Sequence, residues 1–142
     1  MTRREMFFGS TALAVGTLAA KAAAQQHEHH AGTAANQSLI TTASNCVSTG
    51  EVCMHHCHEV AAKGDNSLIA CAERVNELIA ACTALRSLAA QNSSFVPKYA
   101  KLTSEVCKSS EVECRKFEKL HPECKACADA CVACINECSR VV

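Results

Sequence analysis

The chain has no tryptophan, one tyrosine and four phenylalanines. Hydrophobic residues make up 49%, but twelve cysteines are counted among them, so ordinary oily core material is thinner than that figure suggests. Two prolines and five glycines in 142 residues leave little turn chemistry. That scarcity argues against a β fold and for long helices with short joins. Acidic and basic side chains balance at 14 each, so no basic stripe points to nucleic acid. No run of eighteen apolar residues is present to span a membrane. The length suits one domain.

What is abundant is cysteine, and it is densest at the end of the chain. Residues 123–142 read ECKACADACVACINECSRVV, with Cys124, Cys127, Cys131, Cys134 and Cys138 at steps of 3, 4, 3 and 4. On a helix those steps trace one seam facing one way. A bundle helix normally carries Leu, Ile or Val there.

The first residues read as targeting sequence. Arg3-Arg4 precedes a moderately apolar stretch from Phe7 to Ala20, and Lys21 sits beside Ala22-Ala23-Ala24, a small-x-small site. A weakly hydrophobic core with a late cation suits a twin-arginine signal cleaved after residue 24, hence export to the periplasm. Its removal takes away three basic side chains and one acidic, leaving a nearly neutral chain. Residues 25–35 read as a mobile tail carrying His27, His29 and His30. A new terminus at Gln25-Gln26-His27 would have the donor set for square-planar Cu(II), although a solvated linker is the favoured reading.

Residues 36–142 are expected to form the bundle domain. The first helix is predicted from about Asn36 to Lys63, stopped by Gly64. Asp65, Asn66 and Ser67 offer caps for a second helix reaching about Ala90. Ser94 is expected to cap a third, ending near Leu120, and Pro122 to open the fourth. The predicted architecture is an all-α, up-down-up-down antiparallel four-helix bundle with a cysteine-lined core.

Every cysteine falls on a 3-and-4 seam. The first helix supplies Leu39, Ala43, Cys46, Gly50, Cys53, Cys57 and Val60. The second supplies Leu68, Cys71, Val75, Leu78, Cys82, Leu85 and Ala89, and the third Cys107, Ser110, Cys114 and Phe117. Antiparallel order puts Cys57, Cys71, Cys114 and Cys124 near one end. The other end is expected to be plugged by Leu39, Leu85, Leu88, Phe95, Tyr99 and Leu102, giving a thiol-lined tube open towards its far end.

Three chemistries compete for these thiols. An exported chain with an even cysteine count invites a disulfide framework. The pairs Cys53/Cys57, Cys127/Cys131 and Cys134/Cys138, however, are i, i+4 on one helix. Their Cβ atoms lie about 5–6 Å apart, against the roughly 3.8 Å of a disulfide. Zinc wants separate quartets, and four thiolates around each Zn²⁺ leave about two uncompensated negative charges. Iron–sulfur clusters normally draw their cysteines from loops. Cu(I) is soft, prefers thiolate and accepts low coordination numbers, and one Cu⁺ per thiolate makes a filled core nearly neutral. Multiple Cu(I) ions per chain are therefore expected, with a disulfide-stapled exported structural or interaction protein as the alternative.

The twin-arginine leader, the helical pattern and the inward Cys-x-x-x-Cys pairs CMHHC (53–57), CADAC (127–131) and CINEC (134–138) resemble the exported bacterial copper storage proteins along the whole chain. The resemblance implies Cu(I) storage, a homotetramer, and supply to copper enzymes or protection from copper toxicity, by way of some recipient enzyme or chaperone. By position it makes Cu(I) ligands of Cys46, Cys53, Cys57, Cys71, Cys82, Cys107, Cys114, Cys124, Cys127, Cys131, Cys134 and Cys138.

Met54 and His56 flank the seam beside Cys53 and Cys57, His55 and His58 face outward, and His121 sits at the third join. Thioether and imidazole hold Cu(I) more weakly than thiolate, which makes Met54, His56 and His121 candidate ligands at the open end. No enzymatic role is expected. Glu51, Glu111 and Glu137 read as solvated faces, and the seams lack the Glu-x-x-His motif of a diiron bundle.

Overall fold

The computed structural model describes the backbone from His30 to Val142 and the side chains from Asn36 onward. The expected leader, and the side chains of His27, His29 and His30, lie outside the described residues. Four helices follow one another: α1 (His30–Ala62), α2 (Ile69–Ala90), α3 (Val96–Arg115) and α4 (Pro122–Cys138). α1 begins six residues ahead of the expected start at Asn36.

Each join is short, so successive helices run antiparallel. α1 packs on α2 and α4, and α3 packs on α2 and α4, while among the described residues neither diagonal pair of backbones is in contact. The four backbones thus form a ring around an axis that only side chains can fill, the expected up-down-up-down bundle.

The first two joins use the same device. Gly64 has φ +93°, its N–H donates to the Ala61 carbonyl at 2.9 Å, and the Asp65 N–H donates to Val60 at 3.3 Å. Asn92 has φ 50°, its N–H donates to Ala89 at 3.1 Å, and the Ser93 N–H donates to Leu88 at 3.0 Å. Both are Schellman closures, one on the expected glycine and one on an asparagine, the side chain that best tolerates that conformation. Asn36 Nδ2 also donates to Asn92 Oδ1 at 2.7 Å, tying the start of α1 to this turn.

The caps differ from expectation. Asp65 Oδ1 accepts the Ser67 N–H at 2.9 Å, an Asx turn ahead of α2 rather than a cap on it. Ser93 Oγ, not Ser94, faces the start of α3 by accepting the Phe95 N–H at 3.3 Å. α3 ends at Arg115 rather than near Leu120, and the chain continues through hydrogen-bonded turns to His121. His121 is extended (φ −129°, ψ 99°), as Pro122 requires of the residue before it.

The plugged end is also built differently. Leu39, Ala43, Leu85 and Ala89 are buried there, but Phe95, Tyr99 and Leu102 are exposed, and Val96, Ala100 and Thr103 point inward instead. Stepping back by threes and fours from Cys107 arrives at Thr103, Ala100 and Val96. The rotation of α3 is set by its cysteines, and the larger apolar residues fall on the neighbouring stripe. All other seam positions of α1, α2 and α4 named above are buried or pack against the core.

Candidate metal centre

All twelve cysteines are buried and unpaired by disulfides. They meet across the bundle as well as along its helices. Cys46, Cys82, Cys107 and Cys134, one from each helix, bring their sulfurs within 4.8 Å of one another. Nearer the open end Cys53, Cys57, Cys71 and Cys124 do the same, and Cys53, Cys114 and Cys127 form a third group. Cys71 Sγ lies 3.5 Å from Cys114 Sγ and 4.0 Å from Cys124 Sγ, Cys53 Sγ 3.8 Å from Cys124 Sγ, and Cys82 Sγ 4.0 Å from Cys107 Sγ. Contacts such as Cys71–Cys124 span a diagonal that the backbones leave open. Along α4, Cys134 and Cys138 approach to 4.0 Å, the i, i+4 convergence expected of that pair.

The groups bring in the cysteines that have no i, i+4 partner on their own helix. Cys46, Cys82 and Cys107 converge with Cys134, while Cys71 and Cys114 converge with each other at the open end. Sequence reasoning had no signal for quartets, because it treated the thiols as a continuous ladder. Four sulfurs so placed approach the roughly 3.8 Å edges of a tetrahedron with about 2.3 Å arms, the zinc geometry. Cys53, however, belongs to two groups at once. Two closed mononuclear sites cannot both own one sulfur, whereas bridging thiolates linking several low-coordinate ions can share it.

The thiols also share protons. Cys53 is pushed far above the ordinary thiol range by its neighbours Cys114, Cys124, Cys127 and Cys57 and by burial. Cys107 is pushed up by Cys131, Cys134, Cys46 and Cys82. Cys134 is held well below that range by Cys107, Cys138, Cys46 and Cys82, whose S–H groups donate to it. A thiolate formed in such a group is stabilised by surrounding donors, and it then holds the protons of its neighbours on. Among the described residues no lysine, arginine or histidine is buried to balance such charges. Neutrality on full ionisation must come from cations bound at the sulfurs.

The open end divides the three weaker candidate ligands. His56 Nε2 and His121 Nδ1 are 2.9 Å apart and hydrogen-bonded, with Phe117 edge-on to His121. Glu123 Oε2 is buried without a hydrogen-bond partner and lies 3.7 Å from His56 Nε2. Sequence reasoning missed Glu123, since a glutamate in the first turn of a helix reads as a dipole partner. Met54 is separate from this pair and lines a cleft between α1 and α2.

Fold and site together define a class: an antiparallel helical bundle whose core is a store of soft donor atoms. Residues 31–142 match the copper storage protein family, and the chain belongs to it. Among solved structures, the Cu(I)-bound copper storage protein BsCsp3 is similar in fold. Its TM-score is 0.69 at 23% sequence identity, covering 75% of this chain and 97% of that one. No curated protein matches the chain by sequence.

Proposed function

We propose that this member of the copper storage protein family holds multiple Cu(I) ions on its twelve core thiolates. Copper so held is kept from harmful chemistry and is available to copper enzymes. The observation that carries the reading is the sharing of Cys53 between two sulfur groups in a core that holds no buried cation among the described residues. That arrangement suits bridged monovalent ions at about one per thiolate, because such a core stays near neutral. Met54, His56 and His121 act as weaker ligands outside the thiol groups. The protein carries out no catalytic turnover, since eleven of the twelve thiols are fully shielded from any substrate.

Anaerobic titration with Cu(I) and elemental analysis tests this. Loading on the order of one ion per cysteine is expected from the neutrality argument. Saturation at two or three ions would favour discrete sites and end the storage reading. A free-thiol count on unreduced protein separates the stapled alternative: near twelve supports the store, near zero supports disulfides.

Export through the twin-arginine route to the periplasm is part of the proposal, motivated by Arg3-Arg4 and the weak apolar stretch after them. Replacing both arginines by lysine should leave the protein in the cytoplasm on fractionation, and unchanged export would exclude that route. Assembly as a homotetramer is supported by the exposed stripe Phe95, Tyr99 and Leu102 on α3. Light scattering should return four times the chain mass, and a monomer would refute it.

A further inference from the structure

Eleven cysteines have no solvent-accessible surface, and Cys57 alone, at 2%, reaches the outside. It does so sideways. A cleft of about 330 Å³ opens between α1 and α2, lined by Met54, Cys57, His58, Glu73 and Asn76, with Ala61 and Ala72 as part of its wall. Cys57 is at the same time a member of the outermost sulfur quartet, with Cys53, Cys71 and Cys124. At the axial end beside it His56 and His121 are hydrogen-bonded to each other at 2.9 Å, and Cys124 is fully buried.

We propose that copper is loaded through this side cleft as the Cu(I) complex of a small thiol, received first by the sulfurs of Met54 and Cys57. The idea rests on the copper-storage reading above. Cu(I) travels on soft ligands, so transfer needs the receiving sulfur to touch the ion while its carrier still holds it. That requires room for the carrier beside the receiving thiol. The cleft has the volume of a small-ligand site, two sulfurs on its wall, and His58, Glu73 and Asn76 to orient the ionisable groups of a cysteine-containing peptide. In the exchange the bond from copper to Cys57 Sγ forms as the bond from copper to the carrier sulfur breaks. A proton displaced from the sulfur quartet passes to the departing carrier thiolate, and no electron changes hands. From Cys57 the ion moves within its quartet to Cys53, the sulfur shared with the next group inward.

A second cleft, about 240 Å³ between α3 and the end of the chain, reaches Cys138. It is the rival port, but Cys138 is fully shielded and the wall has no thioether.

Two measurements decide the matter. Anaerobic stopped-flow transfer from the Cu(I)–glutathione complex is compared between wild type and Ala61→Phe, which fills the cleft and leaves every sulfur ligand in place. Transfer should slow by at least about tenfold, since the reacting sulfurs no longer approach. The copper number at saturation should be unchanged, which separates a failed port from a failed store. An unchanged rate would overturn the proposal. In the unaltered apoprotein, substoichiometric iodoacetamide followed by peptide mapping should label Cys57 ahead of the other eleven. Labelling of Cys124 first would move the port to the axial end, labelling of Cys138 first would move it to the second cleft, and either result would refute the side route.

Discussion

Two side chains on α3 show that the core is shaped for something other than apolar packing. Thr103 and Ser110 are fully buried, and their hydroxyls have no hydrogen-bond partner. A buried unsatisfied hydroxyl costs about 1–3 kcal/mol. Thr103 lies at the plugged end, away from the sulfur groups, so replacing it by valine keeps the shape and removes the orphan. Thr103→Val is expected to stabilise the apoprotein by about 1 kcal/mol, read as a higher denaturation midpoint at unchanged slope. Ser110 stands between Cys107 and Cys114 on the same seam. Among the cysteines, Cys53 differs from the rest in being shared. Cys53→Ser should therefore lower copper capacity by more than Cys138→Ser does in parallel anaerobic titrations. Equal losses would argue against bridging at Cys53.

The helices are held in place by a few backbone requirements as much as by the seams. Gly64 closes α1 at φ +93°, and a Cβ there would meet nothing within 4 Å, so the cost of a side chain is backbone strain alone. Gly64→Ala is expected to cost about 1–2 kcal/mol in chemical denaturation, the penalty of a left-handed residue with a Cβ. Asn92 already bears a side chain in the matching turn, so Asn92→Gly relieves the backbone but loses the exposed bond from Asn36 Nδ2, and the two effects should largely offset. Gly50 plays another part. A Cβ there would meet Ile79 Cγ1 at 3.0 Å and Val75 Cγ1 at 3.4 Å, so its lack of a side chain lets α1 and α2 approach closely. Gly50→Leu should destabilise by about 2 kcal/mol or more through overpacking, and should disturb the quartets on either side. The end of α1 and the start of α4 were legible to within a residue or two, since Gly64 and Pro122 are strong local signals, whereas the start of α1 lies six residues ahead of the expected one. The end of α3 was not, because no glycine or proline marks it before Pro122.

For the molecule as a whole, metal and fold are coupled. With thiols standing where aliphatic side chains would pack, the apo bundle has less apolar area to bury, and bound copper supplies the missing cohesion. Loading is expected to raise the melting temperature by upward of about 10 °C, taking several kcal/mol of linkage at about 4 °C per kcal/mol. Equal melting of apo and loaded protein would count against the coupling. Protons compete with copper for the same sulfurs. Cys53 and Cys107 hold their protons above the ordinary thiol range in the apoprotein, so binding must release them. Copper affinity should therefore rise with pH and fall as the solution is acidified, by about tenfold per pH unit for each proton displaced. Competition with a Cu(I) chelator at pH 6 and pH 8 measures it. A pH-independent exchange would show that the thiolates already exist before loading.

What the sequence determined by itself is the inward face of each helix. Steps of three and four are a local property of the chain, so twelve cysteines on such steps had to share a core, and short joins had to make that core an antiparallel bundle. Only the tertiary structure decided which sulfurs meet. The groups Cys46–Cys82–Cys107–Cys134 and Cys53–Cys57–Cys71–Cys124 cross from helix to helix. They depend on the axial offset and rotation of every helix at once, which no single helix encodes. The same packing turned Phe95, Tyr99 and Leu102 outward and brought His56 onto His121. It also left Met54 in a side cleft rather than beside the two histidines.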